Sequence, residues 1–159
     1  MPPSQAHSPE DLLCIDEALK EAALALKHND VPVGAVVLKD GKIIGRGHNQ
    51  RELHHDPCSH AEIEALRDAA KNLGDWNLSG CKLYVTLEPC AMCAGAISSA
   101  RIEELVYSAA DPKAGALSLQ LDILDNPRLP HRVKLRRGPK EKECAASLKK
   151  FFQDLRREK

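Results

Sequence analysis

Rings are scarce in this sequence. Aromatic residues make up 3% of its 159 positions, two Phe, two Tyr and one Trp, so binding by extensive aromatic stacking is not expected. Long apolar runs are also missing, and nothing approaches the ~20 residues needed to cross a bilayer. The opening MPPSQAHSPEDLL has neither the basic nor the hydrophobic region of an export signal. A soluble cytoplasmic protein with no membrane partner is therefore expected. That expectation bears on the six cysteines, Cys14, Cys58, Cys81, Cys90, Cys93 and Cys144. In a short exported chain they would suggest disulfides; here reduced thiols, some of them metal-bound, are the better reading. Repeats, low-complexity tracts and linkers are absent too, so residues 1–159 are expected to form one domain. Such a chain can bury roughly two-thirds of the surface its unfolded form exposes.

Net charge is zero, with 23 basic and 23 acidic residues, yet the charges are unevenly placed. Residues 128–159 carry 12 Lys or Arg against 4 acids, a surplus of +8, and residues 1–127 carry the balancing −8. A basic end on an acidic body suits a polyanion-binding edge, and it equally suits a solvated charged helix.

Ser8-Pro9-Glu10-Asp11 offers an N-cap, a Pro at the first helical position and acids in the first turn. Apolar residues at helical spacing follow, so a helix is expected from about Pro9 to Lys27. VGAVVL (33–38) and KIIGRGH (42–48) are β-rich runs joined through Asp40-Gly41, a hairpin signal. HAEIEALRDAAKNLG reads as a second helix ended by Gly74. KLYVTL (82–87) is a buried-type strand, and Pro89 opens a helix over CAMCAGAISSA. ELVYSA (104–109) and HRVKLRRG (131–138) complete five strands, with 110–130 mostly loop and a basic closing helix over about 141–158. Alternating strands and helices place the chain in the α/β class, a mixed sheet covered by helices on both faces.

The chemistry lies in two stretches, PCSHAEIEAL (57–66) and LEPCAMCAGA (87–96). His60, Cys90 and Cys93 offer the imidazole nitrogen and thiolate sulfurs that zinc prefers. Three protein ligands leave a fourth position open, the mark of a catalytic site, where zinc makes water nucleophilic at neutral pH. Glu62 is the proton carrier such a site needs. Residues two apart on a helix point about 200° from each other, so His60 and Glu62 can share a site if the metal lies off the helix N-terminus. Cys90 and Cys93, spaced i,i+3 at the next helix start, can converge on the same point. Alternatively Cys58 closes a Cys₃His site with no open position, which would be structural.

H-A-E followed by P-C-x-x-C matches the zinc deaminase signature. With VPVGAVV, HNQRELHHDPCSHAEIEALR, LYVTLEPCAMCAGAI, HRV and ECAASLKKFF, the chain from about Glu10 to Glu158 resembles the cytidine deaminase superfamily. Within it the resemblance is closer to the tRNA-specific adenosine deaminase family, which converts adenosine to inosine at wobble position 34. The resemblance implies a three-layer α/β/α cytidine-deaminase-like fold on a central mixed five-stranded sheet. It implies one Zn²⁺ per chain held by His60, Cys90 and Cys93, with Glu62 as the catalytic proton shuttle. Asn49 matches the position that hydrogen-bonds the flipped base, Val33 a residue lining the base pocket, and Asp111 an acid near the bound nucleotide. It also implies a tRNA anticodon stem-loop as partner and a homodimer whose partner loops complete each RNA site. The chain departs from the family where Pro112 follows Asp111 and KAGALSL runs about one residue short. It departs also at Cys58-Ser59, where Thr-Ala is common, and at His48, where an aromatic often stands.

Two other readings remain. One keeps the chemistry and changes the substrate to a free base such as guanine or cytosine; the other is a zinc-stabilised binding protein without turnover. Of the remaining residues, His54 and His55 read as loop residues near the substrate mouth. Phe151 and Phe152 read as anchors of the last helix, unless one borders the RNA. Cys14, Cys81 and Cys144 read as small buried residues and Trp76 as a packing anchor.

Overall fold

The computed structural model describes residues 6–158; Met1 to Gln5 and Lys159, at the two ends of the expected domain, lie outside the described residues. The first helix begins at the expected cap. Ser8 Oγ accepts the Asp11 amide at 3.0 Å while the Asp11 carboxylate accepts the Ser8 amide at 3.3 Å, and this reciprocal pair opens α1, Pro9–Ala25. The α-helix stops short of Lys27. Leu26–His28 tighten into a 3₁₀ turn, and Asn29 takes the left-handed conformation, φ 56°, which turns the Asp30 amide back onto the Ala25 carbonyl.

The hairpin forms where its turn signal lies. Asp40 and Gly41 both have positive φ, 49° and 76°, the geometry of a two-residue hairpin turn. It joins β1, Gly34–Lys39, to β2, Lys42–His48, with Lys39 opposite Lys42. β3, Lys82–Leu87, pairs antiparallel with β1 and parallel with β4, Glu104–Ala109. β4 in turn pairs parallel with β5, Lys134–Arg137, giving a five-stranded mixed sheet in the order β2-β1-β3-β4-β5.

β5 spans Lys134–Arg137, shorter than the expected 131–138. His131 Nε2 is bonded to the Ile102 carbonyl at 2.6 Å and the Val133 amide donates to Leu124 at 2.8 Å, so these groups serve the adjoining loops rather than the ladder. A one-turn helix, α2, Arg51–His54, interrupts the stretch expected to be loop. Four residues are too few for helical periodicity to register.

Three longer helices complete the layers: α3, Ala61–Leu73, α4, Ala91–Ser99, and α5, Glu141–Arg157. Two apolar clusters sandwich the sheet. Val37, Ala65, Leu83, Ile97 and Leu105 fill the side covered by α3 and α4, and Ile15, Val36, Tyr84, Val106 and Cys144 the side covered by α1 and α5. Neighbours such as Val36 and Val37 point to opposite faces, which is why strands buried on both sides read as continuous apolar runs. Each large side chain so buried contributes about 2 kcal/mol. The three-layer α/β/α architecture is the one expected.

α3 lies unusually close to β2. A Cβ on Gly45 would fall 2.5 Å from the Ala65 carbonyl oxygen, and one on Gly47 2.4 Å from that of Ala61. Ala61, Ala65 and Ala69, spaced four apart, are fully buried against these glycines. Small residues on both partners thus fix where the N-terminus of α3 sits.

Trp76 is 64% exposed and is not a packing anchor. Gly74 ends α3 with φ 75°, and the Asn77 amide donates to Asp75 Oδ1 at 3.0 Å, a tight turn that carries the indole away from the sheet. Cys14, Cys81 and Cys144 are buried as expected.

Candidate metal centre and its cavity

Both halves of the centre are helix starts. His60 is the N-cap of α3, φ −80° and ψ 157°, and Cys90 the N-cap of α4, φ −74° and ψ 177°. Neither side chain caps its own helix, so both are free to face outward from the helix end. Cys93 comes one turn into α4. The ligand atoms of His60, Cys90 and Cys93 lie within 4.8 Å of one another. His60 Nδ1 is 3.7 Å from Cys90 Sγ and 3.5 Å from Cys93 Sγ. A tetrahedral ion with sulfur and nitrogen bonds of about 2.3 and 2.0 Å requires nitrogen–sulfur separations of about 3.5 Å. The donor set and its spacing fit such an ion. Cys58 is exposed and outside this cluster, so the closed Cys₃His arrangement does not form.

The protonation pattern suits a cation. Hydrogen bonds from Cys93 and then His60 draw the Cys90 thiol down to about 3. Its bond to Cys90, together with burial, pushes the Cys93 thiol upward. Hydrogen bonding to Cys90 raises His60 above its ordinary value despite burial. Their shared hydrogen bond thus shifts the two thiols in opposite directions, and a bound divalent ion would displace the proton of that bond. Glu62, 4% exposed, has its carboxyl raised by burial, although His60 opposes the shift. A carboxyl raised from its ordinary value by burial is the kind of group that proton transfer near neutral pH uses.

The centre opens into a cavity of about 820 Å³, whose wall includes His60, Glu62, Cys90, Asn49, Val33 and Asp111. Every residue expected at the site is on that wall except Cys93, which is fully buried behind it. Asn49 is oriented by a bond of its own: its Oδ1 accepts the Ala61 amide at 2.8 Å. The side-chain nitrogen is then the donor left to the cavity. Asp111 Oδ1 accepts the Lys113 and Ala114 amides, both at 3.2 Å, closing its own turn.

Several wall residues escaped the sequence reading. Arg51 and Glu88 stand within stretches quoted for the resemblance, HNQREL and TLEPC, where the metal set drew attention. Lys149 and Arg156 come from α5, where their i, i+7 spacing puts them on one face with Phe152, the residue of the Phe pair that borders the cavity. Phe152 is 42% exposed and borders the cavity; Cys144 and Leu148 seat the helix on the core instead. His54 and His55 belong neither to the metal cluster nor to the cavity wall.

The basic end divides by role. Arg136 is held by Asp11 and Glu104, Arg137 by Glu141 and the face of Tyr107, Lys140 by Asp16 and Arg132 by Asp125. Among the described residues, Lys149 and Arg156 are the basic residues from this end that reach the cavity.

Known proteins are similar to this chain along nearly its whole length. Residues 11–156 match the model of the MafB19-like deaminase family. A tRNA-specific adenosine deaminase of Bacillus subtilis (strain 168) is 43% identical over 94% of this chain and 93% of its own. A solved structure from work on A-to-I editing by tRNA:A34 deaminases at the wobble position superposes with a TM-score of 0.79. It is 41% identical over 86% of this chain and 99% of the other. A guanine deaminase from Bacillus subtilis is more distant, with a TM-score of 0.61 and 30% identity over 92% and 93%. No helix among the described residues is long and apolar enough to cross a membrane. Identity spread over nearly the whole length, on a deaminase fold with a His-Cys-Cys centre beside a buried Glu, places the chain in the tRNA-specific adenosine deaminase family.

Proposed function

We propose that residues 1–159 form a single zinc-dependent hydrolytic deaminase domain that converts adenosine to inosine at wobble position 34 of tRNA. The observation that carries this reading is the open His60–Cys90–Cys93 cluster with Glu62 buried beside it on a cavity wide enough for a nucleotide. In this reading His60, Cys90 and Cys93 hold zinc, whose Lewis acidity makes water nucleophilic at neutral pH. Glu62 accepts a proton from the attacking water, delivers it to the purine ring as C6 is attacked, and assists the departure of ammonia. Asn49 donates from its side-chain nitrogen to an acceptor on the flipped base. Val33 packs against that base, and Asp111 holds the wall beside the nucleotide.

The family resemblance carries three further parts of the reading: binding of the anticodon stem-loop, a homodimer whose partner loops complete each RNA site, and a cytoplasmic location. The free-base alternative draws on the guanine deaminase fold neighbour, at lower identity.

The test is inosine formation on an A34-containing anticodon stem-loop by purified protein of known zinc content, beside Glu62→Gln and Cys58→Ser. The parent and Cys58→Ser are expected to convert it, each with about one zinc per chain. Glu62→Gln is expected to keep its zinc and lose at least about 10²-fold in rate. A zinc-loaded parent that ignores the stem-loop but deaminates guanine or cytosine transfers the assignment to a free base.

A further inference from the structure

Glu88 is a second buried carboxylate on the cavity wall, 3% exposed, and the chemistry given to Glu62 makes no use of it. It follows β3 directly and precedes the Pro89-Cys90 turn into α4. Both its oxygens are engaged by one loop. Oε1 accepts the Asp111 amide at 3.1 Å and the Ser118 hydroxyl at 2.6 Å, and Oε2 accepts the Ser118 amide at 2.7 Å. The same loop docks on the same turn twice more. Ala116 N–H donates to the Pro89 carbonyl at 2.9 Å, and Gly115 forms an isolated β-bridge with Cys90. Gly115 is packed so closely that a Cβ on it would lie 2.0 Å from Glu88 Oε2 and 2.7 Å from the Asp111 carbonyl oxygen.

The loop held in this way contributes Asp111 to Ala114 to the cavity wall. It contains no helix or strand, so its shape depends on what it is bonded to. Asp111 closes its own turn through Lys113 and Ala114, which leaves that turn to hang from Glu88 as a unit. Three donors converge on Glu88, and two oxygens that only accept can meet all of them. An amide at position 88 would turn an NH₂ group toward at least one donor.

We propose that Glu88 is a positioning residue for substrate binding: its carboxylate clamps residues 111–118 against the strand-to-helix turn of the metal centre and so sets the wall that the nucleotide meets. The identity of that nucleotide rests on the deaminase reading; the clamp itself does not.

Glu88→Gln, Gly115→Ala and the milder Ser118→Ala test it, each as the full chain with zinc content measured. Two readouts are taken: hydrogen exchange of the 111–118 amides and steady-state kinetics on the A34 stem-loop. At parental zinc content, Glu88→Gln and Gly115→Ala are expected to speed exchange in the loop and raise KM by roughly tenfold or more, as lost hydrogen bonds to a charged group imply. Their kcat stays within about threefold of the parent, the split expected when binding alone is weakened. Ser118→Ala falls between, and adding it to Glu88→Gln changes little. A fall in kcat at unchanged KM would overturn the proposal by placing Glu88 in the chemical step. Loss of zinc would overturn it by making Glu88 a prop of the metal turn. Unchanged exchange would overturn it even for a parent that fails on the stem-loop, a result that by itself would count against the substrate reading alone.

Discussion

Asn49 and Ala61 are joined by a 2.8 Å hydrogen bond from the Ala61 amide to the Asn49 side-chain oxygen, so a residue on the cavity wall also caps the helix that carries Glu62. The two roles use different atoms and can be separated. Asn49→Asp keeps an acceptor for Ala61 at a helix N-terminus, where negative charge is favourable, but removes the donor. Asn49→Ala removes both. The Ala variant is expected to lose about 1 kcal/mol of stability and the Asp variant less, with kcat/KM falling by at least about tenfold in both. Urea unfolding and steady-state kinetics check the pair. Full activity in Asn49→Asp would mean that the side-chain nitrogen reads nothing.

Acid stability follows from the pair that ties α1 to β5. Arg136 grips the Asp11 carboxylate with two nitrogens, at 2.9 and 3.0 Å, and the fully buried Tyr84 donates to it at 2.7 Å. Hydrogen bonding from Arg136, more than offsetting burial, holds the Asp11 carboxyl well below the usual carboxylate range. An unfolded Asp titrates near about 4, so the pair's contribution is complete above about pH 5 and is lost as pH falls below about 4. Asp11→Asn should cost about 3 kcal/mol at neutral pH, because it leaves Arg136 without its main partner. Urea midpoints between about pH 3 and 7 should fall less steeply in the variant than in the parent. Parallel curves would show that another carboxylate governs the acid limb.

Phosphate contacts are expected from α5 rather than from the whole basic end. Lys149 and Arg156 stand at the cavity, whereas Arg132 is paired with Asp125 at 2.7 Å. Lys149→Ala and Arg156→Ala should each weaken stem-loop binding and reduce the slope of log K against log salt by about 0.7 to 1. Arg132→Ala should leave that slope unchanged. Fluorescence titrations at several salt concentrations measure both, and equal slopes in all variants would remove α5 from the interface.

The parts legible in the sequence are those whose signals are local. Ser8 to Asp11, Asp40-Gly41 and Gly74 each fix a boundary through their own backbone chemistry, and the structure has a helix start, a hairpin turn and a helix end there. The metal set was legible because its spacing is short-range and its residue types are rare in combination. The cavity wall was legible only in part: Val33, Asn49 and Asp111 came with the family resemblance, and the face contributed by α5 did not. Phe152 reads either as a helix anchor or as a residue bordering the RNA until α5 is laid beside the loop after β4. β5 is short because His131 and Val133 bond to Ile102 and Leu124, partners 29 and 9 positions away along the chain. Glu88 is one residue of a familiar string until Ser118, 30 positions on, is found against it.

The glycine pair on β2 has a consequence for how such a protein can change. His60 and Glu62 ride on a helix pressed to the sheet through Gly45 and Gly47, positions where any side chain would have to push the helix away. The floor of the site therefore has almost no latitude: its height is set by atoms that are missing. Much of its wall belongs to α5 and to the loop after β4, neither of which shares that seat. Variation can remodel what enters the cavity while the reacting centre stays in register, so new substrates are more accessible to this scaffold than new chemistry.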